Sequence, residues 1–258
     1  MMKHRYGSPS EAEDFGRMVY SMPDSEFQKP DRSTIPLLCF WKAEANRNWL
    51  LSGMGLGESD DSTATFEYAV ESGCSECGGK GKSSFTDLLL VSNRFAVAVE
   101  AKYLERPYQR VAEWLSGGKN AENRKRVLRH WLHLIRNRTG HEVQLQAVDA
   151  VVYQMVHRTA SACSVATPRH DVAHLVFGEV HDYRELITKL ADIVDPNRRI
   201  RFWLVSAKAS AGPGMGPTEE ALADEQDPCE RAALLREAIL ADPPLYSFLP
   251  GTVEELGR

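Results

Sequence analysis

The apolar positions of the chain change period several times, and each change marks an element. Residues 86–102, TDLLLVSNRFAVAVEAK, hold two short runs rich in Val, Leu and Ala. The pair Ser92-Asn93 separates them, which predicts a β-hairpin. Nearly every position in both runs is apolar, so both faces of that sheet are expected to be covered. Helical spacing appears on either side. Ser8-Pro9-Ser10-Glu11 carries an N-cap, a first-turn Pro and a Glu three residues on, and predicts a helix over 9–20. Phe66, Ala69 and Val70 fall on one face of a helix over 63–72. Further helices are predicted over 108–115, 121–137, 144–161 and 183–193, and strands over 173–180 and 201–207. Residues 35–51 carry two apolar clusters, IPLLCFW and NWLL, that fit no single period. Residues 21–34, 52–62, 73–84 and 211–217 read as loops or linkers, from their Pro, Gly and Ser content. An acidic amphipathic helix is predicted over 219–241, interrupted near Pro228. A hairpin followed by alternating helices and strands predicts a layered α/β or α+β fold.

Composition narrows the class. The chain has 258 residues, 43% hydrophobic and 26% charged, as expected of a soluble globular protein with one elaborated domain or two small ones. No run of 18 apolar residues predicts a membrane span. The first 15 residues lack the apolar stretch of a secretory signal. Five cysteines, an odd number, point to a reducing cytoplasmic setting and away from a disulfide framework.

The net charge of -5 argues against a nucleic-acid coat protein. It conceals two opposed segments. Residues 119–138 hold seven Lys or Arg against Glu122, and residues 219–242 hold eight acids against Arg231 and Arg236. A polyanion responds to such local patches more than to the sum. The acidic helix is therefore expected either to face away from a nucleic acid or to cover the basic segment.

The chemistry concentrates in the hairpin. Glu100 and Lys102 end the second run and share a face with Ala96 and Ala98; Phe95, Val97, Val99 and Ala101 share the other. The turn brings Asp87, at the start of the first run, beside Glu100. Charges at the end of a covered strand are costly unless paired, metal-bound or in a cleft. Two carboxylates at one point make an oxygen site for Mg²⁺, and a neighbouring Lys can stabilise phosphate charge.

Asp87, twelve intervening residues and Glu100-Ala101-Lys102 resemble the signature of the PD-(D/E)XK nucleases, the restriction-endonuclease-like superfamily. The resemblance implies an α/β fold whose core runs helix, strands, helix, strand in a mixed central sheet flanked by helices. It covers 62–207, leaving 1–61 as an N-terminal extension packed on the core and 208–258 as a linker and acidic helical extension. It further implies a Mg²⁺-dependent nuclease, with Mn²⁺ as a substitute, that hydrolyses phosphodiester bonds in DNA, RNA staying open. Asp87 and Glu100 would hold the metal, and Lys102 would act on water and phosphate. Glu67, on the helix expected before the hairpin, matches a further acidic position. Thr86 stands where the pattern names a Pro. A bacterial restriction or phage-defence role, as a homodimer or a partner subunit, is the implied context. A catalytically silent module of the same fold, binding nucleic acid or protein, is the alternative.

Other motifs carry less. Arg124, Lys125, Arg126 and Arg129 are candidates for phosphate contacts. Gln109 is a candidate accessory residue near the metal, and Gln146 and Tyr153 faintly resemble the Gln/Tyr helix of exonuclease-like members. Cys74 and Cys77 make half a zinc knuckle, and Cys163 with His170 or His174 would have to complete it, so zinc is not expected. Gly53, Gly55 and Gly57 lack the Lys-Ser/Thr ending of a phosphate-binding loop.

Overall fold

The structure, a computed structural model, describes residues 2–7, 13–27, 33–57, 61–70, 84–104, 109–117, 120–179 and 182–257. In chain order the elements are β1 (Lys3–Tyr6), α1 (Phe15–Ser21), α2 (Thr34–Lys42), α3 (Glu44–Gly53), β2 (Thr63–Val70), β3 (Ser84–Val91) and β4 (Phe95–Lys102). They continue with α4 (Val111–Ser116), α5 (Ala121–Thr139), α6 (Tyr153–Cys163), β5 (Arg169–Val176), α7 (Tyr183–Val194), β6 (Ile200–Ala211), α8 (Met215–Asp224), α9 (Pro228–Leu240) and β7 (Tyr246–Leu256). Short 3₁₀ turns lie at Asp24–Glu26 and Leu145–Val148. Among the described residues no helix is long and apolar enough to cross a membrane.

All seven strands form one mixed sheet in sequence order. The β2–β3–β4 meander is antiparallel, β4, β5 and β6 run parallel, β1 joins β2 in parallel, and β7 closes the other edge antiparallel to β6. The hairpin forms where the apolar runs place it: Ser92 N–H bonds the Phe95 carbonyl, and the Ser92 hydroxyl accepts from Arg94 and Phe95. All eight residues of β4 are buried, as a strand covered on both faces requires.

Alternation splits the interior into two layers. Phe95, Val97, Val99 and Ala101 pack with residues of α1, α2, α3, α8 and α9. Ala98 packs on the opposite face with residues of α4, α5, α6 and α7. The basic α5 and the acidic α8 and α9 thus lie on opposite sides of the sheet. The acidic helices therefore do not cover α5. Arg236 of α9 turns inward, donating to the Met22 carbonyl and pairing with Asp24 at 2.7 Å.

Several sequence expectations are corrected. Residues 63–70 form a strand, not a helix. Ala64 and Phe66 face one layer while Tyr68 and Val70 face the other, so the alternation reverses at Glu67. That residue adopts φ 48°, and the reversal imitates helical spacing. The expected helix over 144–161 is a 3₁₀ turn followed by α6. The first described helix spans Phe15–Ser21, capped by the Asp14 carboxylate; Pro9 and the rest of its expected cap lie outside the described residues. Residues 35–51 resolve into α2 and α3. Both extensions supply edge strands, β1 and β7, that the hydrophobic pattern did not reveal. The 53–57 glycine segment closes α3: Gly55 has φ 65°, and Arg169 donates to the Met54 and Gly55 carbonyls.

Candidate functional site

The β3–β4 register pairs Leu88 with Val99, so one step further sets Asp87 opposite Glu100. The Ala101 N–H donates to Asp87 Oδ2 at 2.8 Å, fixing the carboxylate against β4. Lys102, two residues beyond Glu100 on the same face, places Nζ 2.7 Å from Glu100 Oε1. Glu100 and Lys102 are almost wholly buried and Asp87 nearly so, near the carboxyl ends of the parallel strands β4 and β5. In open α/β sheets that end is where ligands commonly bind.

Glu67 joins this group from β2. Its neighbours pair Phe66 with Leu88 and Tyr68 with Thr86, which leaves Glu67 facing Asp87 across the ladder. Its left-handed φ costs a non-glycine residue roughly 1–2 kcal/mol. The sequence placed Glu67 on a helix before the hairpin; it approaches the hairpin from a neighbouring strand instead.

The sequence reading did not name Arg158, and it named His174 only as a residue that would have to complete a zinc site. Arg158, on α6, is fully enclosed and bridges both carboxylates. Its Nη2 lies 3.0 Å from Asp87 Oδ1, and its Nε donates to Glu100 Oε2. Its Nη1 donates to the Phe85 carbonyl and lies 2.6 Å from His157 Nδ1. The available signal was an Arg within the otherwise uncharged stretch 155–163, MVHRTASAC, with His neutral. His174, on β5, is paired in register with Glu100 and lies on the same face. It is 0% exposed, and among the described residues neither ring nitrogen has a hydrogen-bond partner. Nothing in its local sequence distinguishes it from a core histidine.

The electrostatics follow from burial and crowding. Burial first, and then Asp87 and Glu26, push the Glu67 carboxyl up to about 8. Burial and then Glu100 raise Asp87 to about 6, against the pull of Arg158. Burial opposes ionisation of Glu100 too, but Arg158 and Lys102 outweigh it and hold its carboxyl below the ordinary range. Burial lowers His174 to about 4, so its imidazole is neutral at pH 7.

The oxygen donors of Asp87, Glu100 and Glu67 fit a hard divalent cation in chemistry, since Mg²⁺ commonly takes one or two carboxylates with water and phosphate. In this arrangement the Arg158 guanidinium supplies the compensating charge. Among the described residues no three His, Cys, Asp or Glu side chains converge to hold a metal ion.

The remaining candidates divide. Arg124 lies over the Trp114 ring at 5.1 Å and donates to the Trp114 carbonyl, which ties α5 to α4. Lys125, Arg126 and Arg129 are exposed, and Arg129 stands 3.6 Å from Glu122. Gln109 is exposed ahead of α4, and its carbonyl accepts from the Tyr153 N–H. Tyr153 stacks on Trp114 with centroids 3.8 Å apart and accepts from Trp131 Nε1 through its hydroxyl. Gln146 lies in the second 3₁₀ turn, separate from α6. Thr86 donates to Ser161 Oγ at 2.6 Å and so pins β3 to α6 beside the cluster. Cys74 and Cys77 lie outside the described residues, and Cys163 is a free thiol.

The fold and cluster define a three-layer α/β protein with a buried, charge-compensated carboxylate centre. Residues 11–204 match the model of the family described as Domain of unknown function (DUF6946), and the chain belongs to that family. The matched span contains Glu67, Asp87, Glu100, Lys102, Arg158 and His174, and it stops before α8, α9 and β7. No curated protein matches the chain, and no solved structure does.

Proposed function

We propose that the chain is a metal-dependent nuclease that hydrolyses phosphodiester bonds of nucleic acid, DNA in the first place, on a restriction-endonuclease-like core. One observation carries the reading: Asp87, Glu100 and Lys102 meet on one face of the β3–β4 hairpin, enclosed at the carboxyl end of a parallel strand pair. The element order supports it in part. The helix implied at the head of the core, over 63–72, is strand β2, while the hairpin followed by helices that lead to the parallel β5 agrees with the order the resemblance implies.

Asp87 and Glu100 would hold Mg²⁺ or Mn²⁺, with Glu67 as the additional carboxylate. The ion, when bound, supplies polarisation of a phosphate oxygen and acidification of water. Lys102, held by Glu100, brings a positive charge to the scissile phosphate. Arg158 fixes both carboxylates from behind. Lys125, Arg126 and Arg129 on the exposed side of α5 offer contacts to the phosphate backbone. A restriction or phage-defence role rests on the same resemblance.

A second reading, a silent nuclease-fold module, is favoured by the Arg158 bridge, which already satisfies both carboxylates without a metal ion. A cleavage assay separates the two. Purified full-length chain is incubated with single- and double-stranded DNA and RNA in Mg²⁺ or Mn²⁺. Metal-dependent cleavage lost in Asp87→Ala and Lys102→Ala is the expected result. Cleavage retained in both variants overturns the residue assignment. Nucleic-acid binding without cleavage in any metal favours the silent module.

A further inference from the structure

We infer that a pocket over β1 and β2 seats an unpaired nucleotide of the substrate strand beside the scissile bond, with Arg5 holding its phosphate. The choice of a nucleic-acid ligand rests on the proposed nuclease reading, which this subsite deepens. Arg5 pairs in register with Thr65, Thr65 with Leu89, and Leu89 with Ala98. Arg5 and Thr65 therefore share the sheet face that carries Ala98, Glu100 and Lys102. Helix α6 packs on β3, β4 and β5. Toward β1 and β2 that face opens into a pocket of ≈ 290 Å³. Arg5, Thr63, Thr65 and Tyr68 bring polar side chains to it, and Leu89, Val91 and Val165 give it an apolar wall. The Arg5 Nε is buried and, among the described residues, has no hydrogen-bond partner. Asp61, exposed at the rim, is engaged by the Asn93 N–H at 3.1 Å.

The lining selects the ligand. A guanidinium partly withdrawn from water calls for an anion, and its planar fork matches the oxygens of a phosphate. The hydroxyls of Thr63, Thr65 and Tyr68 can donate to the remaining oxygens. The apolar wall suits a ring, which a bare inorganic anion lacks. A volume of ≈ 290 Å³ is at the small end of ligand pockets, so it takes a single nucleotide and excludes a base pair. Position then ties the pocket to the carboxylate centre. Tyr68 lines it and follows Glu67, which faces Asp87 across the β2–β3 ladder. The Cα atoms of Arg5 and Asp87 are two strands and two residues apart, roughly 12 Å by strand geometry. A strand with one phosphate at the carboxylates thus brings a flanking nucleotide to Arg5.

The test is nuclear magnetic resonance on the full chain, labelled at arginine nitrogens and at Leu and Val methyls, with EDTA present so that no metal ion takes part. Thymidine 5′-monophosphate, thymidine, inorganic phosphate, a short oligothymidylate and a blunt hairpin duplex are titrated in parallel. The monophosphate is expected to shift the Arg5 Nε–H signal, assigned by its loss in Arg5→Leu, together with methyls of Leu89, Val91 and Val165. It binds more tightly than thymidine or phosphate, and the single strand binds more tightly than the duplex. Arg5→Leu weakens the monophosphate about tenfold or more, as the loss of charge-assisted hydrogen bonds does. Val165→Phe fills the pocket, keeps Arg5 and weakens binding too; it serves if Arg5→Leu does not fold by circular dichroism. An unmoved Arg5 signal, a monophosphate no tighter than phosphate or thymidine, binding unchanged in the variants, or a duplex that binds as well as the single strand overturns the inference. Cleavage in Mg²⁺ or Mn²⁺, assayed on the same preparations, keeps the two readings apart. Nucleotide binding without cleavage in any metal sinks the nuclease reading and leaves the pocket standing. Metal-dependent cleavage without nucleotide binding does the reverse.

Discussion

Replacing Arg158 tests the reasoning about the carboxylate centre most directly. Its guanidinium is 4% exposed and is shared between Asp87 and Glu100. Arg158→Met keeps the stem volume and removes the charge. Glu100 then retains Lys102, and Asp87 retains the Ala101 N–H and partial exposure. Breaking a buried pair from one side typically costs about 3–5 kcal/mol, because the remaining charge loses its compensation. For a chain of this size that lowers Tm by roughly 6–20 °C. The cost shrinks at acid pH. Asp87 already titrates near 6, and losing its guanidinium partner raises it further, so protonation relieves the unpaired charge. Urea unfolding followed by tryptophan fluorescence at pH 7 and pH 5.5 measures this, in wild type, Arg158→Met, Glu100→Gln and the double variant. The expected cycle has a coupling energy of about 1 kcal/mol or more, with Arg158→Met milder in the Gln background. An Arg158→Met cost below about 1 kcal/mol at pH 7, or an equal cost in both backgrounds, refutes the view that Arg158 compensates these carboxylates.

Two further outcomes follow from the same cluster. The Glu67 carboxyl is raised to about 8, so between its ordinary value and 8 the folded state holds a proton that the unfolded chain has released. Stability therefore falls as pH rises through that window. Between pH 6.5 and 8 wild type loses about 1–2 kcal/mol, scaled for the partial exposure of Glu67, and Glu67→Gln removes the slope; a wild-type slope unchanged in the variant contradicts the assignment. The range above pH 6.5 avoids the opposing contribution of His174, whose lowered pKa takes effect at more acid pH. Thr86→Val deletes the buried hydroxyl that binds Ser161 and lowers stability by about 1–3 kcal/mol in the same unfolding assay, since Ser161 is then left less satisfied; a neutral effect shows that the bond does not anchor β3 to α6.

The hairpin, its two-sided burial and the shared face of Glu100 and Lys102 were legible in the sequence because all three depend on period-two geometry within 17 consecutive residues. The turn also carried Asp87 to Glu100, because a short loop leaves few registers. Glu67 was found by type and spacing, but its element was misread. A left-handed residue in mid-strand reverses the alternation, and period alone cannot tell that from a helix. Arg158 and His174 were decided by tertiary structure. Each lies more than 50 residues from Glu100, and only the sheet order and the packing of α6 across it bring them there. The same holds for the separation of basic α5 from acidic α8 and α9. Local sequence sets which face of a helix is apolar, whereas the layer that receives that face depends on where the connections cross the sheet. The chain by itself thus determined the carboxylates and the lysine, and the fold determined what surrounds them: a guanidinium that compensates their charge and a buried imidazole beside Glu100.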